Sequence, residues 1–557
     1  MVDSSKRTRV VLSFSDIFDE DEREDISSLI SDIPSKQALQ IVAHFSARYH
    51  ANENNLKIHG EALVQWLGRL DSSLKTKVLS EAAPQMEREN FLFINQPSCL
   101  YLIQEIILNY NDFKERELTP EDELNLFKAY MLASEWSVKI SSEIQEKGIK
   151  GLSNFVEVTL KTQLPISDLK FSREFYLQAY KAISFFEFSE TNKEFNNLIT
   201  DFILSTKSSN WKEYLKSILH IYASHLLKFD EPNRSVLNFE EENQITEFLD
   251  YLTLDKSKFE AKSDFISIRE KPVFKLQERS YLFLNLDLFI DKIFSGILFD
   301  IYSAISENQY DGIETSDFGN FKSFIGESFI EEVLLYEILN YVKQDSWVAF
   351  SGKNMRGKID GEPDFYIRRR SKVFLFECKD TLIRSDTKNS YDFKVIEKEI
   401  IKKLIRGTQQ KNKGVSQILS FISKLEDGLI QDFDEFNYKG AKYYPIIVVT
   451  DRALDEHGIN YFFNSSFDDL IRDFSLDDFR IQKPVLIQLD DLLKFADLFK
   501  NEYLKFNSIL DAYIAQGNSK DYFIKSYSFS DYLKEQAFKF SNEPTKLIDD
   551  KLKVIFD

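Results

Sequence analysis

The chain has 557 residues, with 71 Lys and Arg against 91 Asp and Glu and a formal net charge of −20. That length corresponds to about two to four domains, and 43% hydrophobic with 29% charged residues excludes wholesale disorder. Only two cysteines, Cys99 and Cys378, exclude a disulfide scaffold and a four-cysteine zinc site, and they point to a reducing, cytoplasmic compartment. Taken as a whole, the acidity argues against a phosphate-binding surface. Net charge averages over domains, however, so the question has to be asked locally.

Met1–Arg7 is followed by no apolar stretch of the secretion-signal kind. No run of about 18 uncharged apolar residues occurs, so neither a transmembrane helix nor a membrane partner is expected. Residues 20–310 read as helical. In Lys36–Tyr49, Glu61–Leu79, Leu100–Tyr110, Glu121–Gly148 and Ser172–Phe188, apolar residues recur at three- and four-residue spacing with charged ones between. Breaks fall at Pro34, Pro97, Pro120, Pro165 and Pro232. Glycine is sparse, 17 in the chain, which favours helices over turn-rich sheet. The apolar run Ser280–Phe299 carries Asp287, Asp291 and Lys292 and reads as a buried core helix. The 50 Phe and 25 Tyr are read as aromatic core packing. No fixed-period repeat is visible.

Near residue 310 the texture changes. Gln309–Gly312 is turn-like, and a helix is predicted over 322–344. Short β-type runs follow at Trp347–Phe350, Asp364–Ile367 and Val373–Phe376, then a long charged helix from Tyr391 to Leu425, then Tyr444–Thr450 and Pro484–Leu489. The order α-β-β-β-α-β-β describes an α/β domain with a mixed sheet. The predicted class is therefore α plus α/β. An all-helical region spans 1–310, an α/β domain 311–495, and a helical extension 496–557.

One stretch of the α/β domain carries chemistry. It reads Gly361-Glu362-Pro363-Asp364-Phe365-Tyr366-Ile367, then Val373-Phe374-Leu375-Phe376-Glu377-Cys378-Lys379. Asp364 opens one strand and Glu377 ends the next. Arg368–Lys372 would form a basic turn between them, making a hairpin. The hairpin brings Asp364 near Glu377, and Lys379 shares a face with Glu377 because strand side chains repeat with period two. Two adjacent carboxylates repel unless neutralised, and a hard divalent cation with oxygen ligands does that. Water bound beside Lys379 is then set for in-line attack on phosphorus.

This arrangement resembles the PD-(D/E)xK nuclease superfamily, with its restriction-endonuclease-like fold, over residues 320–490. The matching residues are Pro363-Asp364 and Glu377-Cys378-Lys379. The resemblance implies that Asp364 and Glu377 bind Mg²⁺ or Mn²⁺, that Lys379 polarises the nucleophilic water, and that Cys378 supplies its main-chain carbonyl. It also implies a further acid on the preceding helix. Glu331 is the choice there, with Glu327 one turn earlier and Glu332 beside it. Some members carry a Gln-x-x-x-Tyr element on the following helix. Here Gln417 is present, but Phe421 replaces the tyrosine.

Between Gly352 and Lys413 there are 17 Lys and Arg against 9 Asp and Glu, a local balance of +8 that leaves −28 for the rest of the chain. Such a cluster is an electrostatic footprint for a phosphate backbone. Lys353, Arg356, Lys358, Arg384, Lys402, Lys403 and Arg406 are the candidate nucleic-acid contacts. Gly352–Ile359 approaches a phosphate-binding P-loop, but Ile359 stands where Ser or Thr is needed and a turn follows instead of a helix. A loop over the site, with Lys353, Arg356 and Lys358 on phosphate, fits better. His220 and His225 are five apart and do not share a helical face. Cys378, inside a strand without a paired His, is read as a packing residue.

The expected function is a metal-dependent endonuclease acting on DNA. Its helical region would act as a sensor or gate, and would bind a partner protein or a second copy of the chain. By analogy alone, the arrangement brings to mind bacterial antiviral defence or DNA processing. The competing readings are a catalytically silent scaffold that binds nucleic acid or protein, and a nuclease acting on RNA. The basic stretch within an acidic chain further raises the expectation that the helical region shields the site.

Overall fold

The helical spacing of the first 300 residues is realised in Ser35–Tyr49, Gln96–Leu108, Pro120–Gln145 and Phe175–Glu190. Pro120 sits at the first helical position, where its missing N–H is no loss. Thr119 and Asp122 exchange hydrogen bonds as a capping pair. The single helix expected over 61–79 is instead two, Leu56–Trp66 and Ser72–Glu87. Asp71 starts the second by accepting the N–H groups of Ser73 and Leu74.

The structure, a computed structural model, describes residues 10–49, 56–87, 91–145, 150–169, 173–226, 235–305, 313, 317–356, 361–407, 412–430, 434–476, 479–540 and 545–555. Gln309–Gly312, Pro232, His50 and Lys358 lie outside these residues. Among the described residues no helix is long and apolar enough to cross a membrane. The chain is mostly helical and contains a mixed five-stranded sheet, an α+β architecture.

Two compact units interleave along the sequence. The first comprises residues 1–147, 169–179 and 196–308, and the second 148–168, 180–195 and 309–557.

The first unit is not all-helical, contrary to the expectation. Strands β1 (Val236–Asn238), β2 (Val273–Gln277) and β3 (Ser280–Phe283) form an antiparallel sheet in the order β1-β3-β2. The run expected as one helix from Ser280 thus begins as a strand and turns helical only at Leu286–Asp291. A short apolar run does not distinguish buried strand from buried helix by periodicity. The core of this unit includes Phe45 stacked on Trp66, with centroids 4.5 Å apart, and Tyr130, whose hydroxyl donates to the Phe93 carbonyl.

The second unit is built on β4 (Val348–Ser351), β5 (Phe365–Arg369), β6 (Lys372–Lys379), β7 (Lys442–Val449) and β8 (Val485–Gln488), in the spatial order β8-β7-β6-β5-β4. The β4-β5-β6 pairs are antiparallel, and β6-β7-β8 are parallel. Both faces of the central strands are buried, which is why β6 and β7 read as continuous apolar runs. Val373 and Leu375 face a core shared with helices Val415–Glu426 and Ile459–Asp473. Phe374 and Phe376 face the other way, against Phe506. The first core also contains Val156, Leu160 and Leu164, so a chain cut at residue 310 loses part of it. Phe185 and Phe188, also from before residue 309, meet Phe329 edge-to-face and tilted, with centroids 5.2 and 5.5 Å apart.

The continuous helix expected over 391–425 is broken into a helix ending at Ile405 and another beginning at Val415. Gly414 makes the junction possible. It holds φ +58°, and a Cβ there would stand 2.0 Å from the Leu404 carbonyl oxygen. Gly414→Ala is expected to destabilise the second unit by roughly 2 kcal/mol or more, read as a lower urea midpoint.

Candidate active site

β5 and β6 pair in the register Phe365↔Phe376, through a turn of only Arg370 and Ser371 rather than the five residues expected. Arg370 takes φ +56° there. The flanking arginines belong to the strand and are occupied. Arg368 pairs with the buried Asp434 at 2.5 Å, and Arg369 pairs with Glu502 at 2.6 Å. The register sets Asp364, the residue before β5, across from Glu377. Asp364 Oδ2 accepts the main-chain N–H of Cys378 at 2.7 Å. Lys379 Nζ lies 2.5 Å from Glu377 Oε1. Glu377 is 1% exposed, and among the described residues its second, buried oxygen, Oε2, meets no hydrogen-bond donor.

Glu331 joins them from the helix that precedes the sheet. The helix runs Phe318–Ile325, widens to π-type winding over Gly326–Leu335, and resumes as Tyr336–Val342. In π winding the i→i+5 residue returns to the same side. Glu331, five on from Gly326, therefore lies one wide turn beyond it.

The electrostatics show how crowded the site is. Burial, with Asp364 close by, pushes Glu377 up to about 8, although Lys379 opposes the shift. Burial and Asp364 push Glu331 up to about 9, with Glu377 and Glu327 adding to the effect. Asp364 is also raised, chiefly by burial, against the pull of Lys379 and the Cys378 N–H. Burial works against the Lys379 ammonium, but Glu377, Asp364 and Glu331 together hold it above the usual lysine range. One ammonium thus faces three carboxyl groups.

Cys378 itself is fully buried, and burial drives its thiol well above the ordinary range. It is no thiolate nucleophile.

Among the described residues Gln417 makes no hydrogen bond to Asp364 or Glu377. Its Nε2 donates to the Glu362 carbonyl at 3.1 Å, so it fixes the Glu362-Pro363 turn that delivers Asp364. Phe421, at the tyrosine position of that element, is buried in the core.

Of the candidate phosphate contacts, Lys353 and Arg356 lie on the short helix after β4 and its end. Arg356 is paired with Glu332 at 3.0 Å and is also near Glu362. Lys402 is exposed. Arg384 pairs with Asp386, and Arg406 pairs with Asp473 at 2.8 Å. Lys403 donates to the Leu382 carbonyl and pairs with Glu399 at 3.0 Å, so it braces the segment after β6.

Tyr336 and Asp380 were not among the expected residues. The Tyr336 hydroxyl accepts the Lys353 N–H at 3.3 Å. Asp380 lies next to the Glu-x-Lys element, a signal available in the sequence. Its partner Lys322, 58 residues away, had none.

Among the described residues no three His, Cys, Asp or Glu side chains are placed to cage a metal. Asp364 and Glu377 offer hard oxygen donors, and Glu377 Oε2 is a buried acceptor that meets no donor among the described residues. Mg²⁺ is commonly held by one or two carboxylates, with waters and substrate phosphates completing the shell, and these residues fit that use. The chain matches no protein-family model, no curated protein and no solved structure.

The raised carboxyl groups make a pH signature. From the ordinary Glu value of about 4.3 up to about 8 for Glu377 and about 9 for Glu331, the folded chain holds more protons than the unfolded one. Stability from these groups is full at low pH and is lost as pH rises through the folded values. Without divalent cation, stability is expected to fall between about pH 5 and about pH 9, by up to about 1.4 kcal/mol per pH unit for each proton held. Glu377→Gln should flatten that fall, read as the parent-minus-variant difference in thermal midpoint across pH.

Proposed function

We propose that this chain is a divalent-metal-dependent nuclease and that its second unit carries a restriction-endonuclease-like domain. Asp364, Glu377 and Lys379 are the central residues, with Glu331 beside them. The observation that carries the reading is the Lys379–Glu377 pair at 2.5 Å with Asp364 anchored on the intervening Cys378 N–H. Strand order and the acidic helix before the sheet add support.

Asp364 and Glu377 would hold Mg²⁺ or Mn²⁺, with the Cys378 carbonyl as a further oxygen. When bound, the cation supplies Lewis acidity toward a phosphoryl oxygen and toward water. Lys379 keeps its proton at Nζ and donates a hydrogen bond to the attacking water or to a non-bridging phosphate oxygen. Cation binding would displace protons from the Glu377 and Glu331 carboxyls, because the charged forms then gain a partner. Gln417 keeps Asp364 in place through the Glu362 carbonyl. Lys353, Arg356 and Lys402 are offered to the phosphate backbone, and Arg356 would exchange Glu332 for phosphate.

DNA is the proposed substrate, on the resemblance to the superfamily. The first unit is proposed as the sensing or assembly part, taking a partner protein or a second copy of the chain.

Purified full-length chain should cut plasmid or single-stranded DNA with Mg²⁺ or Mn²⁺ and be silent in chelator. Asp364→Ala and Lys379→Ala, made separately, should each lower the rate by roughly 100-fold or more. RNA cut in place of DNA would change the substrate class only. Failure to cut either, alone and with co-purifying partners, or full activity in both variants, removes the reading.

A further inference from the structure

Asp380 directly follows Lys379 at the carboxyl end of β6, and its side chain is 4% exposed. Lys322 Nζ donates to both of its oxygens, at 2.9 and 2.8 Å. Thr450 Oγ1 donates to Oδ1. The three partners come from three elements. Lys322 lies in the Phe318–Ile325 turns of the Glu331 helix, Asp380 follows β6, and Thr450 follows β7. Because Lys379 is paired with Val449 across the parallel β6-β7 ladder, the next residues on the two strands are Asp380 and Thr450. The lysine therefore ties the helix to the exit of both central strands.

Gly326 marks how close that approach is. A Cβ at Gly326 would stand 3.2 Å from the Asp380 Cβ and 3.5 Å from Oδ2. Glycine there is a matter of room, since its backbone is ordinary helix at φ −56°. π winding begins at Gly326. The clamp thus fixes the helix one wide turn before Glu331, while Asp380 is covalently next to Lys379.

We propose that Lys322, Asp380 and Thr450 form a positioning clamp that sets Glu331 against Glu377 and Lys379, with Gly326 as its contact point. The proposal rests on the nuclease reading for its functional consequence and on geometry alone for the clamp itself. Asp380 is here a positioning residue, since its oxygens are occupied by Lys322 and Thr450. Removing one partner leaves a buried charge uncompensated, so the helix would loosen from the strand end.

Two measurements on full-length chain test it. Backbone hydrogen exchange over 326–335 should speed up about tenfold or more in Lys322→Met and in Asp380→Asn, remain near the parent rate in Lys322→Arg, and stay unchanged in the first unit. Half-saturation by Mn²⁺ in the cleavage assay should rise about tenfold in Lys322→Met and in Asp380→Asn, and stay near the parent value in Lys322→Arg. Thr450→Val, which keeps both charges, guards against a variant that does not fold and should show a smaller change in the same direction. Exchange over 326–335 that is unchanged in all variants overturns the clamp. Faster exchange with an unmoved Mn²⁺ half-saturation overturns its positioning role. A parent chain that takes up no Mn²⁺ and cuts nothing removes the nuclease reading, and the exchange arm then decides the clamp.

Discussion

One ammonium among three largely buried carboxyl groups is the constraint around which the second unit is arranged. Desolvation and mutual repulsion both disfavour ionised Asp364, Glu377 and Glu331, and Lys379 offsets only part of that. Such a cluster persists only when the surrounding fold over-determines it. The β5-β6 register, the Cys378 N–H to Asp364, and the apolar strands on both sides of the hairpin provide that excess of order. A structural ion pair would have been built with matched charges, as at Arg368–Asp434, where guanidinium and carboxylate close bidentately. The site lacks that balance. A surplus of acids also surrounds Lys534, beside Asp455, Asp491 and Asp531, so what marks the Lys379 group is its position at the start of β5 and the end of β6, and a surplus of carboxyl groups there favours a cationic guest.

The sheet places the imbalance at one of its edges. β6 and β7 run parallel and end together, so the chain leaves both strands on the same edge, and neighbouring side chains there are not covered by a further strand residue. Open α/β sheets bind ligands at the carboxyl ends of parallel strands for this reason. The antiparallel β5 adds Asp364 from the opposite direction, which a parallel neighbour could not do at that edge. Mixed pairing is therefore part of the site's construction. The preceding helix then has to reach the same edge, and its π winding makes Glu331 share a side with the glycine that touches Asp380.

Legibility in the sequence followed the length scale of each interaction. The strands of the second unit were readable because Val373–Phe376, Tyr444–Thr450 and Pro484–Leu489 are apolar runs bounded by polar turns. The Asp364–Glu377–Lys379 grouping was readable because a hairpin and a period of two are local rules. The sheet of the first unit was not, since its strands are three to five residues long and one of them, Ser280–Phe283, merges into an apolar helix. The break before Val415 has only Gly407 and Gly414 as its local marks, inside a charged pattern that also fits one continuous helix. What fixed that glycine is its approach to Leu404, a tertiary fact. π winding over Gly326–Leu335 leaves no mark in an apolar pattern that also fits an α-helix, and the Lys322–Asp380 pair joins residues too far apart in sequence for any local rule.

The local balance of +8 changes meaning once partners are assigned. Arg368, Arg369, Lys388 and Lys403 are tied to Asp434, Glu502, Asp168 and Glu399, so much of the positive charge counted in the sequence holds the unit together. Lys388 is 5% exposed and cannot meet a polymer. The charge left for a phosphate backbone is smaller and more selectively placed. Lys353 and Lys402 are exposed, and Arg356, at 62% side-chain exposure, sits in an ion pair with Glu332 that water already weakens. Exposed pairs of that kind contribute little to stability, so replacing Glu332 with a phosphate oxygen costs little. The basic stretch therefore divides into paired cations that brace the scaffold and exposed ones spread over several elements, among them Lys353 and Arg356 at the short helix after β4 and Lys394, Lys398 and Lys402 on the helix that ends at Ile405.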